Sequence, residues 1–200
     1  MGNFIAKNRE NRLVEKMQIE SNLAAPRPLS SIADEELATF TGVFIPGGHA
    51  PLTDLGDNVH LGRMPLHFTI FRSLQVNFSY VLLKYSGLTA DIVIATLCHG
   101  PFALLSTKYT PGSAGFAYRG YAITSCSDAE ESLIERMKGG KVPRKVESAL
   151  ANESAEIIST VGKKLGSITV DRELISGAIP VAASDIGAEL VRKLQLRKKS

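Results

Sequence analysis

The sequence predicts an α/β domain built on a doubly wound, mainly parallel sheet sandwiched by helices. Three observations predict it. Two short apolar runs, Gly42-Val43-Phe44-Ile45 and Ile92-Val93-Ile94-Ala95-Thr96-Leu97, lack the alternation of a half-buried strand, so both of their faces are expected to be covered. Each run ends in turn residues, Pro46-Gly47-Gly48 and Cys98-His99-Gly100-Pro101. Helical patterns fall between the strand candidates, as parallel crossovers require.

The elements follow in chain order. Residues 8–20 suit a charged helix, and Ala24 to Ser31, with two prolines, a loop. Ser31 to Glu36 reads as a helix start, with an acidic residue three places after the serine. The strand at 43–45 comes next, then the strand at 92–97. A helix begins within Pro101 to Ser106, where proline suits the first turn because its missing donor is not needed. Tyr121 to Thr124 is a further strand of the central sheet. Ser127-Asp128-Ala129-Glu130 is a capping box opening a helix that runs into Leu133 and Met137. Val146 to Ile158 is expected as one helix, Ser167 to Val170 as a strand with Leu174-Ile175-Ser176 as its partner. Ala182 to Leu196 closes the chain as a helix with Ile186, Leu190 and Leu194 on one face.

Two hundred residues suffice for one domain with a real core. With 23 basic and 20 acidic residues the net charge is only +3, which argues against a nucleic-acid partner. The basic run Arg192, Lys193, Arg197, Lys198, Lys199 suits a solvated helix C-terminus, where positive charge is favoured. Met1 to Lys16 is interrupted by Lys7, Arg9, Glu10, Arg12 and Glu15 and has no apolar core for export. The longest nearly uncharged stretch, Tyr85 to Thr107, contains Asp91, His99, Gly100 and Pro101, which suits a buried strand and turn rather than a membrane span. A cytoplasmic protein with two free thiols, Cys98 and Cys126, is expected.

Ala95-Thr96-Leu97-Cys98-His99-Gly100-Pro101 carries the sharpest chemical signal. An apolar strand runs straight into Cys98, and Gly-Pro then starts a helix, so the side chain is thrust out at the carboxyl end of the sheet. The helix N-terminus and the neighbouring imidazole both favour thiolate over thiol. An isolated cysteine is most often a small buried hydrophobe; that reading is kept for Cys126, which is expected to be structural. Gly47-Gly48 after the other strand would let main-chain amides approach a ligand, as an oxyanion hole requires. Adjacent Cys98 and His99 would strain to hold one ion, and His49, His60 and His67 suggest no ligand cluster with the cysteines, so no metal is expected.

Four segments in order carry a resemblance: Pro46-Gly47-Gly48-His49 with Asp54-Leu55, Cys98 through Leu105, Ser127 through Glu131, and Asp171 through Gly177 with Pro180. From about Leu29 to Leu194 the chain resembles the ThiJ/PfpI superfamily, of class I glutamine amidotransferase-like, flavodoxin-like fold, and in particular its heat-shock chaperone and glyoxalase III group. The resemblance implies a domain over 29–200 preceded by a helical or irregular segment over 1–28. It implies Cys98 as nucleophile, His99 as base and Glu130 as the carboxylate orienting the imidazole, with Glu131 next in line. Gly47, Gly48, His49 and Gly100 would form the oxyanion hole and substrate-binding loop. The implied activity is cofactor-free conversion of methylglyoxal-type 2-oxoaldehydes to hydroxy acids, D-lactate dehydratase-like, with a small aldehyde as substrate. Stress-chaperone binding of unfolded chains and a homodimer are also implied.

Two departures shape the expectations. In the family a strand–helix–strand unit precedes the Gly-Gly-His segment and supplies a carboxylate against the nucleophile, whereas nothing before Gly42 reads as a strand here. The sheet is therefore expected to be N-terminally incomplete, with an open edge that dimerisation would cover. Pro65 to Lys84, aromatic and apolar without a helical stripe, lengthens the family link and reads as an extra helix, hairpin or partner patch. The rival functional reading is a non-catalytic family member acting as a binding or chaperone protein.

Overall fold

Val93–Leu97 (β2) is buried along its whole length, which is what a continuous run of β-branched and small apolar residues permits and solvent would penalise. In the computed structural model, which describes residues 11–16, 25–37, 39–65 and 93–197, β2 lies inside a four-stranded sheet. Its neighbours are Gly42–Ile45 (β1) and Leu174–Gly177 (β6), both parallel to it; Ile168–Asp171 (β5) extends the sheet antiparallel to β6. The strand order is β1-β2-β6-β5. The protein is an α/β fold with a mainly parallel sheet and helices, as the sequence predicts.

The closing helix, Ala183–Arg197, follows a 3₁₀ turn at Pro180–Ala182. Ile186, Leu190 and Leu194 lie one turn apart along it and pack against Val93, Ala95 and Leu97 of β2 and Ile175 of β6. Burying Ile186 fully stabilises the fold by about 2 kcal/mol, and the partly buried leucines contribute less. Gly100–Tyr109 forms an unusually long run of 3₁₀ turns, whose first eight residues are all buried. The Ser106 and Thr107 hydroxyls donate to the carbonyls of Ala103 and Leu104, so the polar side chains in this core element are satisfied locally.

Two expectations are corrected. Residues 121–124 do not join the central sheet: Ala122–Ile123 (β3) pairs in parallel with Glu156–Ile157 (β4) in a separate two-stranded sheet. Beside β5 and β6, side chains take the place of a main-chain ladder. The Asp171 carboxylate accepts the Ala122 N–H at 2.9 Å, and the Ser176 hydroxyl accepts the Thr124 N–H at 3.0 Å. The predicted helix over 146–158 stops at Asn152, because Ser154 takes a positive φ of 67° and the chain then turns into β4. The helix Asp128–Lys138 opens on the expected capping box and runs through Leu133 and Met137, both exposed; the residue it buries is Glu131.

Residues 1–33 and 34–200 form two compact units. In the first, 11–16 are helical and Leu29–Ser31 is a 3₁₀ turn, with the Ser31 hydroxyl on the Pro28 carbonyl at 2.8 Å. Among the described residues no strand precedes Gly42, and β1 is an edge strand with Phe44 half exposed. The Pro65–Lys84 expectation falls, beyond Pro65, outside the described residues. No helix among the described residues is long and apolar enough to cross a membrane.

Candidate active site

Three chain segments converge beyond the carboxyl ends of β1, β2 and β3. Cys98 immediately follows β2 with φ of +59°, a left-handed backbone rare for a side chain other than glycine. Main-chain bonds on both sides hold it there: its N–H donates to the Gly177 carbonyl at 2.7 Å, and its own carbonyl accepts the Cys126 N–H at 3.0 Å. The bend leaves Cys98 partly exposed while His99 beside it is 4% exposed.

The Gly-Gly turn is dictated by this elbow. A Cβ on Gly47 would sit 2.6 Å from the Cys98 Cβ and 2.8 Å from the Leu97 carbonyl oxygen, so only glycine fits. Gly48, at φ of +96°, turns its amide toward the Cys98 sulfur. Gly100 stands elsewhere: it is buried, and a Cβ there would meet the Ile45 carbonyl oxygen at 2.4 Å. The missing Cβ allows close packing of the elbow on β1.

The His99 ring bridges the site. Its Nδ1 is 3.1 Å from Cys98 Sγ and its Nε2 is 2.5 Å from Glu131 Oε2. Glu131, not Glu130, is therefore the carboxylate on the imidazole. Glu130 is occupied by the capping box: its carboxylate accepts from the Ser127 N–H at 2.9 Å and the Ser127 hydroxyl at 2.8 Å, while the Ser127 hydroxyl accepts the Glu130 N–H. The next residue is rotated by about 100° around the helix, which turns Glu131 onto the buried face.

Two contacts were missed by sequence reasoning. His49 enters through its side chain, whose Nε2 is 3.0 Å from Glu131 Oε1, with its ring centroid 4.7 Å from that of His99. One buried carboxylate thus serves two imidazoles, one buried and one 52% exposed at the side chain. Cys126, expected to be structural, lies against the Cys98 sulfur, with its own sulfur 3.8 Å from Glu131 Oε2. The available signal was its place just after a strand and just before the Ser127 cap, which brings it to the same crevice.

The electrostatics follow from these contacts. Hydrogen bonding from the Cys126 thiol does most to lower the Cys98 pKa; burial opposes it, and the hydrogen bond and charge of His99 and the Gly48 amide add to the lowering. The outcome is a thiol held at about 4. His99 is raised to about 9, first by its hydrogen bond to Cys98, against burial, and then by Glu131. Burial raises the Glu131 pKa, but the hydrogen bonds from His99 and His49 outweigh it and the net shift is downward. Cys126 is pushed up, foremost by its hydrogen bond to Cys98 and then by burial, and stays a thiol. The resting state is a thiolate–imidazolium pair backed by a carboxylate.

A pH dependence follows. Above about 4 the thiolate is present, and up to about 9 the imidazolium accompanies it. Alkylation of Cys98 by iodoacetamide is expected to be level between those values and to fall as pH drops through the lower one. Peptide mapping after limiting reagent measures it, and a rate climbing along an ordinary thiol titration near 8.5 would contradict an activated thiol.

Two sets of candidate metal ligands meet here, Cys98–His99–Cys126 and His49–His99–Glu131, each with its donor atoms within 4.8 Å. Both depend on His99, whose two nitrogens are already engaged by Cys98 and Glu131.

No protein-family model matches the chain. Among curated proteins it is similar to a protein/nucleic acid deglycase HchA of Pseudomonas aeruginosa, 26% identical over 171 residues covering 82% of this chain and 52% of the relative. It is also similar to the HchA of Staphylococcus aureus, 24% identical over 183 residues covering 88% of this chain and 55% of the relative. The chain thus spans about half the length of the curated relatives it matches. Among solved structures, the 24 kDa rapid encystment protein of Francisella tularensis superposes with a TM-score of 0.66 at 19% identity, covering 90% of this chain and 70% of that one. Glyoxalase III of Candida albicans superposes at 0.59 with 18% identity, covering 82% and 60%. These two show the shared fold. Along most of its length the chain is thus similar to the HchA deglycases, at low identity, and it shares the fold of these solved structures.

Proposed function

We propose that this protein is a cysteine-dependent, glyoxalase III-like enzyme that converts methylglyoxal-type 2-oxoaldehydes to hydroxy acids. One observation carries the reading: a partly exposed Cys98 sulfur 3.1 Å from His99 Nδ1, with the opposite ring nitrogen held by buried Glu131. The thiolate attacks the aldehyde carbon and forms the C–S bond, and the carbonyl oxygen gains the electron pair beside the Gly48 amide. His99 delivers its proton to that oxygen, giving a hemithioacetal and a neutral imidazole. The imidazole then removes the hydrogen on the attacked carbon, giving an enediolate, and returns it to the adjacent carbon, while the hydroxyl proton passes from the first oxygen to the second, leaving the thioester of a 2-hydroxy acid. Water cleaves the thioester, releasing the hydroxy acid and the thiol. The oxidation of one carbon and reduction of its neighbour balance within the substrate, so no external redox partner is consumed. Glu131 keeps the imidazole oriented and stabilises its charged form.

The relatives' name supports a second reading, removal of aldehyde adducts from protein or nucleic acid, which would use the same thiolate attack. The test is a glutathione-free assay with methylglyoxal, and in parallel with a methylglyoxal-modified peptide, following aldehyde loss and hydroxy acid formation. Hydroxy acid is expected from the free aldehyde. Release from the peptide alone would favour the second reading. A folded protein whose Cys98 alkylates readily but which turns over neither substrate would be a non-catalytic family member, with binding of unfolded chains as its remaining role.

A further inference from the structure

The mechanism above uses one thiol, yet the site holds both cysteines of the chain. A direct main-chain hydrogen bond of 3.0 Å joins the Cys126 N–H to the Cys98 carbonyl, which keeps the two Cα atoms in the range of about 4.4–6.8 Å that a disulfide spans. The two sulfurs lie within 4.8 Å of each other. Cys126 is buried and Cys98 partly exposed, so a small solute meets Cys98 first. An oxidant reaching this pair finds one accessible thiolate with a thiol held directly behind it.

We propose that Cys98 and Cys126 form a peroxide-reactive dithiol in which Cys126 resolves oxidised Cys98 into a reversible intramolecular disulfide. It rests on Cys98 as the ionised thiol of the proposed site. The oxidant is a hydroperoxide. The Cys98 thiolate attacks the terminal peroxide oxygen, the O–O bond breaks, and hydroxide (or alkoxide) leaves with the electron pair, giving a sulfenic acid. The Cys126 sulfur then attacks the Cys98 sulfur, the S–O bond breaks, and the departing oxygen takes the Cys126 proton and leaves as water. Glu131 Oε2, 3.8 Å from the Cys126 sulfur, is placed to relay that proton. The disulfide occupies the sulfur that would attack an aldehyde, so peroxide switches the site off, and a dithiol reductant restores it.

The experiment uses the full chain, reduced, desalted and treated with hydrogen peroxide, followed by thiol titration and non-reducing peptide mapping. Both free thiols are expected to disappear together, a peptide linking Cys98 to Cys126 to appear with loss of two hydrogens, and dithiothreitol to reverse both. Cys126→Ser and Cys126→Ala are expected to let Cys98 advance to sulfinic or sulfonic acid, which dithiothreitol does not reverse. Wild-type protein whose Cys98 gains two or three oxygens while Cys126 still alkylates would overturn the proposal. So would a disulfide formed only between two chains. Should either variant fail to fold, the wild-type peptide map alone decides. Rapid iodoacetamide alkylation of Cys98 in the untreated protein, tested alongside, separates failure of resolution from absence of an activated thiol.

Discussion

Cys98→Ala is expected to abolish methylglyoxal turnover while leaving the circular dichroism spectrum unchanged. The loss should be complete rather than partial, because the covalent adduct requires a nucleophile at this position. Cys126 offers no substitute: it is buried, and its pKa is raised. Steady-state assays of wild type and variant at equal protein concentration measure it. Turnover that survives the substitution would exclude Cys98 as nucleophile. Because Cys98 is only partly buried and alanine keeps its Cβ, the thermal midpoint should change little, which distinguishes lost chemistry from lost folding.

Glu131→Gln is expected to lower kcat/KM by about 100-fold, the scale on which groups supporting acid–base catalysis act. Glu131 contributes to the raised pKa of His99, so removing its charge moves that value down. The upper limb of the Cys98 alkylation profile should then shift to lower pH, a change that a purely structural lesion would not produce. Glu130→Ala should do neither. It removes half of the capping box and costs stability of about 1 kcal/mol, read from a denaturant midpoint, and it leaves the alkylation profile in place. If Glu130→Ala instead shifted the profile and Glu131→Gln did not, the spatial assignment of the two carboxylates would be wrong.

That pair also shows where sequence reasoning reaches its limit. The capping box at Ser127 and Glu130 was legible from spacing alone, and so was the role of a carboxylate near this point of the chain. Assigning both jobs to Glu130 was the error, since a side chain folded back onto its own N-cap cannot also reach His99, and helix rotation gives the second job to Glu131. The strand–Cys98–Gly-Pro elbow and the apolar face of Ile186, Leu190 and Leu194 were readable because local pattern determines them. The detachment of 121–124 from the central sheet was not, because it depends on Asp171 and Ser176 side chains intercepting main-chain donors across roughly fifty residues of chain. Cys126 was opaque for the same reason: its significance lies in a partner 28 positions away.

The left-handed backbone at Cys98 has a consequence for how such a sequence drifts. Holding an L-residue at φ of +59° costs about 1–2 kcal/mol relative to glycine, which has no Cβ to crowd. Glycine, however, carries no sulfur. At this one position, selection for a stable chain and selection for a reactive one favour different residues, and only retained chemistry keeps the cysteine in place. In lineages where the reaction is no longer needed, glycine or asparagine should replace it before the surrounding strand and helix change, so the identity of this residue becomes a record of whether the site is still in use.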